Sequence, residues 1–482
     1  MTPVLRSLLL ASALLSIPAE AGTLRGALVK AYQANPTLTG ARATQRVIDE
    51  DAAIARARGR PRVDGTADYT ENVLRSSNSF ASPVRQATAG VNLSVPIYQG
   101  GAIRNAVRAA DARVESGLAN LRDTEASLFS QVVGAYMDVI RDEAIVSLNQ
   151  QNVRVLNVNL QASRDRFEIG DLTRTDVAQS QARLAIARSD LENAEARLID
   201  SREQYIRLVG EAPGTLEAPP PLPNLPASPQ VAVTVALDNN PALIAAQRDR
   251  DAARFDVGVA RAGRLPQISA VGGGHYTNFL NSIDSGITGV DFANTAKTAS
   301  AGIQATIPLF QGGLPAAQTR QAQARESRAI EAVIEVERSI IAQTRAAYSS
   351  WQASNAVIVS SQTAVDANTL SLEGTRAENS VGTRTILDIL DAEQELLNAQ
   401  VQLVTARRNS YVAGFSLLAA MGQAEARDLG LEAGTLYDPT LNYKRVRGRI
   451  WDFDEDPRPA PVATRTVDSP AQTPAVTGPP AR

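Results

Sequence analysis

The chain has no cysteine among its 482 residues and a single histidine, His275. Metal centres built from Cys and His are therefore excluded, and no disulfide framework holds the fold, so packing or partner subunits must. Aromatic residues are scarce, at 4%, which speaks against a large globular core and for long, thinly packed helices rich in Ala, Gln, Arg, Ser and Glu. A net charge of −3 is too small to suggest a nucleic-acid partner. Beyond the N-terminus no run of 18 apolar residues occurs, so no transmembrane helix is expected, and any membrane insertion would use strands. No Gly-Lys-Ser/Thr follows the glycine pairs and no Gly-x-Ser-x-Gly elbow is found, so no cofactor, nucleotide site or catalytic residue is predicted.

What is present begins with a secretory signal over residues 1–21. Arg6 supplies the charge, Leu8 to Ile17 the apolar core, and Ala19-Glu20-Ala21 a small-x-small cleavage site before Gly22. Ten apolar residues are too few to span a bilayer. Without a cysteine after that site, a lipid-anchored N-terminus is not expected.

The rest reads as a duplication, residues 22–211 and 231–422, joined by a linker at 212–230. Ala31-Tyr-Gln-Ala-Asn35-Pro36 is echoed by Ala236-Leu-Asp-Asn-Asn240-Pro241. Pro96-Ile-Tyr-Gln-Gly100-Gly101 recurs as Pro308-Leu-Phe-Gln-Gly312-Gly313, and Gly170 matches Gly382 at a shift of 212 residues. Seven prolines make the linker an extended connector. Each half predicts a helical segment (24–58, 231–262), two strands (about 62–75 and 86–98; about 266–280 and 297–309), a long helix (102–167; 315–376), a turn, and a returning helix (174–211; 384–422). Residues 423–456 form a further segment with Tyr437, Tyr443 and Trp451, and a Pro- and Ala-rich tail, 457–482, is expected to be disordered.

The strands carry the most information. From Gln86 to Ile97, and again from Thr298 to Leu309, apolar and polar residues alternate with a period of two. Such strands suit a membrane barrel with a wet interior, although a soluble sheet with one wet face alternates in the same way. Four strands cannot close a barrel, which needs about eight; three copies would supply twelve. The long helices each approach about 100 Å at 1.5 Å per residue, more than a globular core requires, and suggest a coiled coil bordering water.

The most telling stretch is Gly382-Thr-Arg-Thr-Ile-Leu-Asp388-Ile-Leu-Asp391. Asp388 and Asp391 share one helix face. Asp388 has a counterpart, Asp176, and carboxylates there offset the helix dipole; Asp391 is matched by Gln179, and Arg384 by Leu172, so both ask for another role. Arg384 can reach Asp388 at i+4. Gly100, Gly101, Gly312 and Gly313 are expected to permit the passage from strand to helix.

With these turns, the two Gln-Gly-Gly junctions and the two Asn-Pro pairs, the chain resembles the TolC family of outer-membrane export ducts over most of residues 24–422. The resemblance implies an α+β membrane protein: a homotrimer whose twelve-stranded barrel in outer-membrane lipid continues as a helical tunnel across the periplasm of a Gram-negative cell. It implies docking of a periplasmic adaptor and an inner-membrane ABC, RND or MFS transporter at the tunnel tip. It further implies acidic rings from Asp388 and Asp391, which would favour cations, and a closed-state latch from Arg384 to Thr175 and Asp176. The partner tyrosine position of a second latch is Asn379 here. Residues 437–451 look similar to members that serve protein secretion. Two other classes remain open from the residues alone: an elongated periplasmic coiled-coil adaptor, and an exported enzyme using a carboxylate pair, for which 388 and 391 sit in a repeated helix start and not in a cleft.

Overall fold

A computed structural model describes residues 22–74, 83–283, 292–431 and 436–476; the predicted signal at 1–21 lies outside them. The order is α1 (Leu24–Ala34), α2 (Pro36–Ala57), β1 (Arg62–Glu71), β2 (Arg85–Gln99), α3 (Ala102–Glu168), α4 (Arg174–Val209), α5 (Pro229–Asn239), α6 (Pro241–Ala262), β3 (Gln267–Asn278), β4 (Thr295–Thr306), α7 (Leu314–Ser380), α8 (Ile386–Ala420) and α9 (Thr440–Val446). Among the described residues no helix is long and apolar enough to cross a membrane.

Each helical segment predicted as one piece, 24–58 and 231–262, is two helices. A residue before proline is pushed out of the helical region, and Asn35 and Asn240 sit extended at ψ 128° and 122°. Each asparagine then does two jobs. Its side-chain oxygen caps the next helix, accepting from Thr37 N at 2.8 Å or Ala242 N at 3.0 Å. Its amide donates to the last turn of the returning helix, Leu208 O at 2.8 Å or Ala420 O at 2.9 Å. The repeated Asn-Pro pair thus ties the short helices to α4 and α8. Asn240→Ala is expected to cost about 0.5–2 kcal/mol for the cap and about 1–3 kcal/mol more for the carbonyl left bare. The check is a fall in the temperature at which the oligomer dissociates.

The strands form one antiparallel sheet in the order β1-β2-β3-β4. Val91 lies opposite Gly65 and Gly274, and Asn92 opposite Asp64 and Gly273, so cross-strand partners share faces. One face carries Val63, Ala89, Val91, Leu93, Ala301 and Ile303. The other carries Asp64, Thr66, Thr88, Asn92, His275, Thr298 and Gln304. The apolar face is open: Val63, Val91 and Ile303 are 65%, 55% and 75% exposed. Strand β4 ends at Thr306, short of the expected 309. Its last partner is Gln267, and the residue before that is Pro266, which has no N–H to give. Both outer edges, β1 and β4, present unpaired backbone groups.

The main core gathers where both halves meet, around Phe129, Val132 and Tyr136 of α3, with Leu28 of α1, Leu198 of α4 and Phe415 and Leu418 of α8. The proline-rich linker is tied to the helices by tyrosines: Tyr348 and Tyr411 donate to Ala227 O and Pro220 O, both at 3.1 Å. Residues 457–476 have no regular structure, yet they are held. Arg202 of α4, buried beside Glu143, donates to Thr473 O at 2.5 Å and Ala475 O at 3.0 Å, and Val476 packs on the main core. Composition alone suggested disorder there; a buried guanidinium needing acceptors organises the chain instead.

Candidate functional site

The two turns at the far ends of the long hairpins are built alike. Gly170 and Gly382 take φ of +83° and +81°, the left-handed position after a helix that glycine adopts without a Cβ penalty. The following amides reach back: Asp171 N to Arg166 O at 2.9 Å and Thr383 N to Glu378 O at 3.0 Å. Helices α4 and α8 then start with reciprocal caps. Thr173 and Asp176, and likewise Thr385 and Asp388, exchange side-chain and backbone hydrogen bonds. Thr175 and Asp176 therefore stand in the first turn of α4. Asp176 and Asp388 are held below the ordinary carboxylate value of 3.8, chiefly by the threonine hydroxyls and then by the threonine amides.

A depressed folded value means stability that is present above the unfolded value and lost as pH falls through the folded one. The tip helix starts are thus expected to hold through pH 4 and loosen only below it. Amide hydrogen exchange at residues 174–178 and 386–390, corrected for intrinsic rate, should show that step, and Asp388→Asn should remove it from the second turn alone.

The structure does not join Arg384 to the first turn within one protomer. Its Nε donates to Glu378 Oε2 at 2.8 Å and its Nη1 lies 3.7 Å from Asp388 Oδ1, both on its own hairpin. Asn379 donates to Arg384 O at 2.8 Å. Asp391 lies one turn further along α8 and pairs with Arg183 of α4. Asp388 and Asp391 thus each stand beside an arginine, one from the same hairpin and one from the other.

Two groups that sequence reading missed lie just above. Glu393, 7% exposed, accepts from Asn159 Nδ2 of α3 and from Arg376 Nη2 of α7, both at 2.9 Å. Leu390, 2% exposed, packs with Leu156 and Leu160 of α3 and Leu184 and Ala187 of α4. Glutamine stands in the first half at both positions matching Asp391 and Glu393, Gln179 and Gln181. The comparison of halves that singled out Asp391 would have found Glu393 as well. Among the described residues no acidic or histidine group could hold a metal ion.

At the strand-to-helix junctions all four glycines have positive φ, +59°, +83°, +60° and +83° for Gly100, Gly101, Gly312 and Gly313. Their surroundings differ. A Cβ on Gly100 would lie 2.8 Å from Leu265 Cβ and 2.9 Å from Ala262 O, at the end of α6, whereas one on Gly312 would meet nothing within 4 Å.

The chain matches known proteins along its length. It is 33% identical over 427 residues to the outer membrane efflux protein BepC of Brucella suis, covering 89% of this chain and 91% of that one. To the outer membrane protein TolC of Vibrio cholerae it is 26% identical over 404 residues, covering 83% and 90%. The fold is similar to the crystal structure of the outer membrane protein VceC from Vibrio cholerae, with a TM-score of 0.72 at 23% identity, over 83% of this chain and 96% of that chain. The profile of the outer membrane efflux protein family matches residues 27–211 and 232–423; with a relative this similar over nearly the whole length, the chain belongs to that family.

Proposed function

We propose that three copies close into a passive outer-membrane exit duct for a tripartite export system. The observation that carries this reading is an asymmetry between pseudo-equivalent helices. Helices α3 and α7 both have 67 residues, yet α3 buries 23 of them and α7 only 7. In one chain α3 packs against α1, α2, α4, α6 and α8, whereas α7 packs against α5, α6 and α8 and leaves Ile330 and Ile334, in the stretch that meets α6, 44% and 41% exposed. The duplication supplies what is missing. As α3 of the first half packs on α6 of the second, α7 would pack on α2 of the next copy, and the empty space at Gly312 would be filled like that at Gly100. Head-to-tail contacts of this kind make a ring when the rotation closes. The same step pairs edge β4 with edge β1 of the neighbour, antiparallel, and removes every open edge.

The lumen is then lined by the polar sheet face above and by the helices below, narrowing at the tip turns. Asp388 and Asp391 would ring that mouth threefold and favour cations, with Arg183 and Arg384 tempering the charge. Arg384 would leave Glu378 to reach Thr175 and Asp176 of another copy across the tip and hold it shut. A periplasmic adaptor and an inner-membrane ABC, RND or MFS transporter would open it and supply the energy. In this reading the duct is passive and takes no enzymatic part in export. The periplasmic-adaptor reading has no use for four strands of 10–15 residues with an open apolar face.

Single-channel recording in planar bilayers tests the proposal. The purified protein is expected to give small cation-preferring steps, and Arg384→Ser larger ones; the gain should be modest, because exposed ion pairs contribute only about 0–1 kcal/mol. An electrically silent protein contradicts the duct, and an unchanged conductance in Arg384→Ser contradicts the latch.

A further inference from the structure

We infer that the loop of residues 447–456 is a membrane-surface anchor, which seats Ile450, Trp451 and Phe453 in the phospholipid leaflet at the helical end of the barrel. This rests on the barrel reading above, but nothing in that reading requires it. The chain climbs along α2 in steps. Asn442 Nδ2 donates to Asp49 Oδ2 at 2.9 Å, Tyr443 meets Arg56 at 2.6 Å, and Arg60 Nη1 donates to Arg449 O at 2.6 Å. Arg60 is two residues before the first residue of β1, and Trp451 two residues after Arg449. Trp451 is within about 7 Å of extended chain from that carbonyl and Arg62 within about 7 Å of the Arg60 backbone, with one arginine side chain between, so the loop arrives near the foot of the sheet.

The loop is closed at its base. Arg445 pairs with Asp456 at 2.6 Å, and Arg449 with Asp454 at 3.2 Å. Between these pairs the apolar side chains are left outside. Ile450, Trp451 and Phe453 are 75%, 73% and 85% exposed, and the two rings lie 6.3 Å apart. Three large apolar groups at one loop apex are not a normal scatter of surface residues. Arg58, two residues before Arg60, and Lys444 and Arg447, in the chain that leads into the loop, are exposed, as are Asp452 and Glu455 within it. Cations around an amphipathic ring are what a headgroup layer accommodates: tryptophan prefers the interface, and the cations meet lipid phosphates. The loop also lies at the helical end of the apolar sheet face, where Val63 and Tyr98 stand beside Arg62 and Gln99, the strand residues next to the helices. A second copy of the chain is the competing occupant, and the experiment separates the two.

The full chain is reconstituted in phosphatidylethanolamine–phosphatidylglycerol vesicles, with acyl chains brominated close to the headgroup, brominated deep, or unbrominated. The chain has two tryptophans, so the emission lost in Trp451→Phe isolates Trp451 without disturbing Trp351. A Val91→Trp, Trp451→Phe protein reports independently on the sheet. The expected result is strong quenching of Trp451 by shallow bromines and weak quenching by deep ones, with position 91 quenched in the opposite order. If position 91 is quenched and Trp451 is not, the anchor is wrong and the barrel stands. In that case red-shifted emission from Trp451 places it in water, and blue-shifted emission places it against protein, the neighbouring copy included. If neither is quenched, both readings fall together.

Discussion

Val91→Arg is expected to leave the protein without a heat-resistant oligomer, while Asn92→Arg, one residue along the same strand, should assemble and conduct. The two positions differ only in the side of the pleat. Val91 is near the middle of β2, between Gly65 and Gly274, on the face that also carries Ala89, Leu93 and Ile303. An arginine at the midplane of a lipid-facing strand costs about 2–4 kcal/mol, and threefold assembly imposes that cost three times. Asn92 is on the polar face opposite Asp64, where an added guanidinium finds both water and a carboxylate. Its effect should be on permeation, shifting the reversal potential toward anions. Unboiled gel electrophoresis of outer-membrane fractions reads assembly directly. Equal yields from the two variants would mean that the apolar face does not meet lipid.

Leu390→Ala is expected to open the tip more than the loss of any ion pair there. Four contacts hold the second hairpin against the first near its end: the Asp391–Arg183 pair, the Glu393–Asn159 hydrogen bond, and the packing of Leu390 and Leu387 on α3 and α4. Asp391 and Arg183 are both substantially exposed, which limits such a pair to about 0–1 kcal/mol. Leu390 is nearly fully buried, and truncating a buried leucine costs about 2–5 kcal/mol, depending on how far the site collapses. The apolar seat therefore dominates. In planar bilayers Leu390→Ala should raise single-channel conductance clearly. Arg183→Gln should leave conductance near that of the wild type and increase cation preference, because Asp391 loses its counter-charge. A larger opening in Arg183→Gln than in Leu390→Ala would reverse that ranking.

Much of this was legible before any coordinates. A period of two over a dozen residues in β2 and β4 named the strands, their faces and the need for more copies, because alternation reports burial on one side wherever the pairing partner comes from. Asp176 and Asp388 marked the helix starts, because carboxylates there offset the dipole, while the threonine caps that fix the starts at Arg174 and Ile386 were not read. The break at Asn35–Pro36 and Asn240–Pro241 was visible as a repeated pair, but its geometry was not. That geometry depends on the carbonyls of Leu208 and Ala420, some 170 to 180 residues away. For the same reason the partners of Asp391 and Glu393 stayed hidden: Arg183 and Asn159 are 208 and 234 residues distant, and no local pattern marks them. Leu390 was lost for a different reason, since its counterpart Ala178 and the many alanines of these helices blur the apolar stripe. The tail shows the limit of composition as evidence. Its prolines and alanines suggested disorder, whereas residues 472–476 lie against α4 and the main core through Arg202, Glu203 and Val476.

The central claim is that one chain supplies an incomplete wall, with four strands and a bare α7, and that the wall closes between copies. Native mass spectrometry of the detergent-solubilised protein measures this directly. The account predicts a single species of three chains that persists until the detergent micelle is stripped and the barrel unfolds. A stable folded monomer, or an even-numbered assembly such as a dimer closing on eight strands, would contradict it.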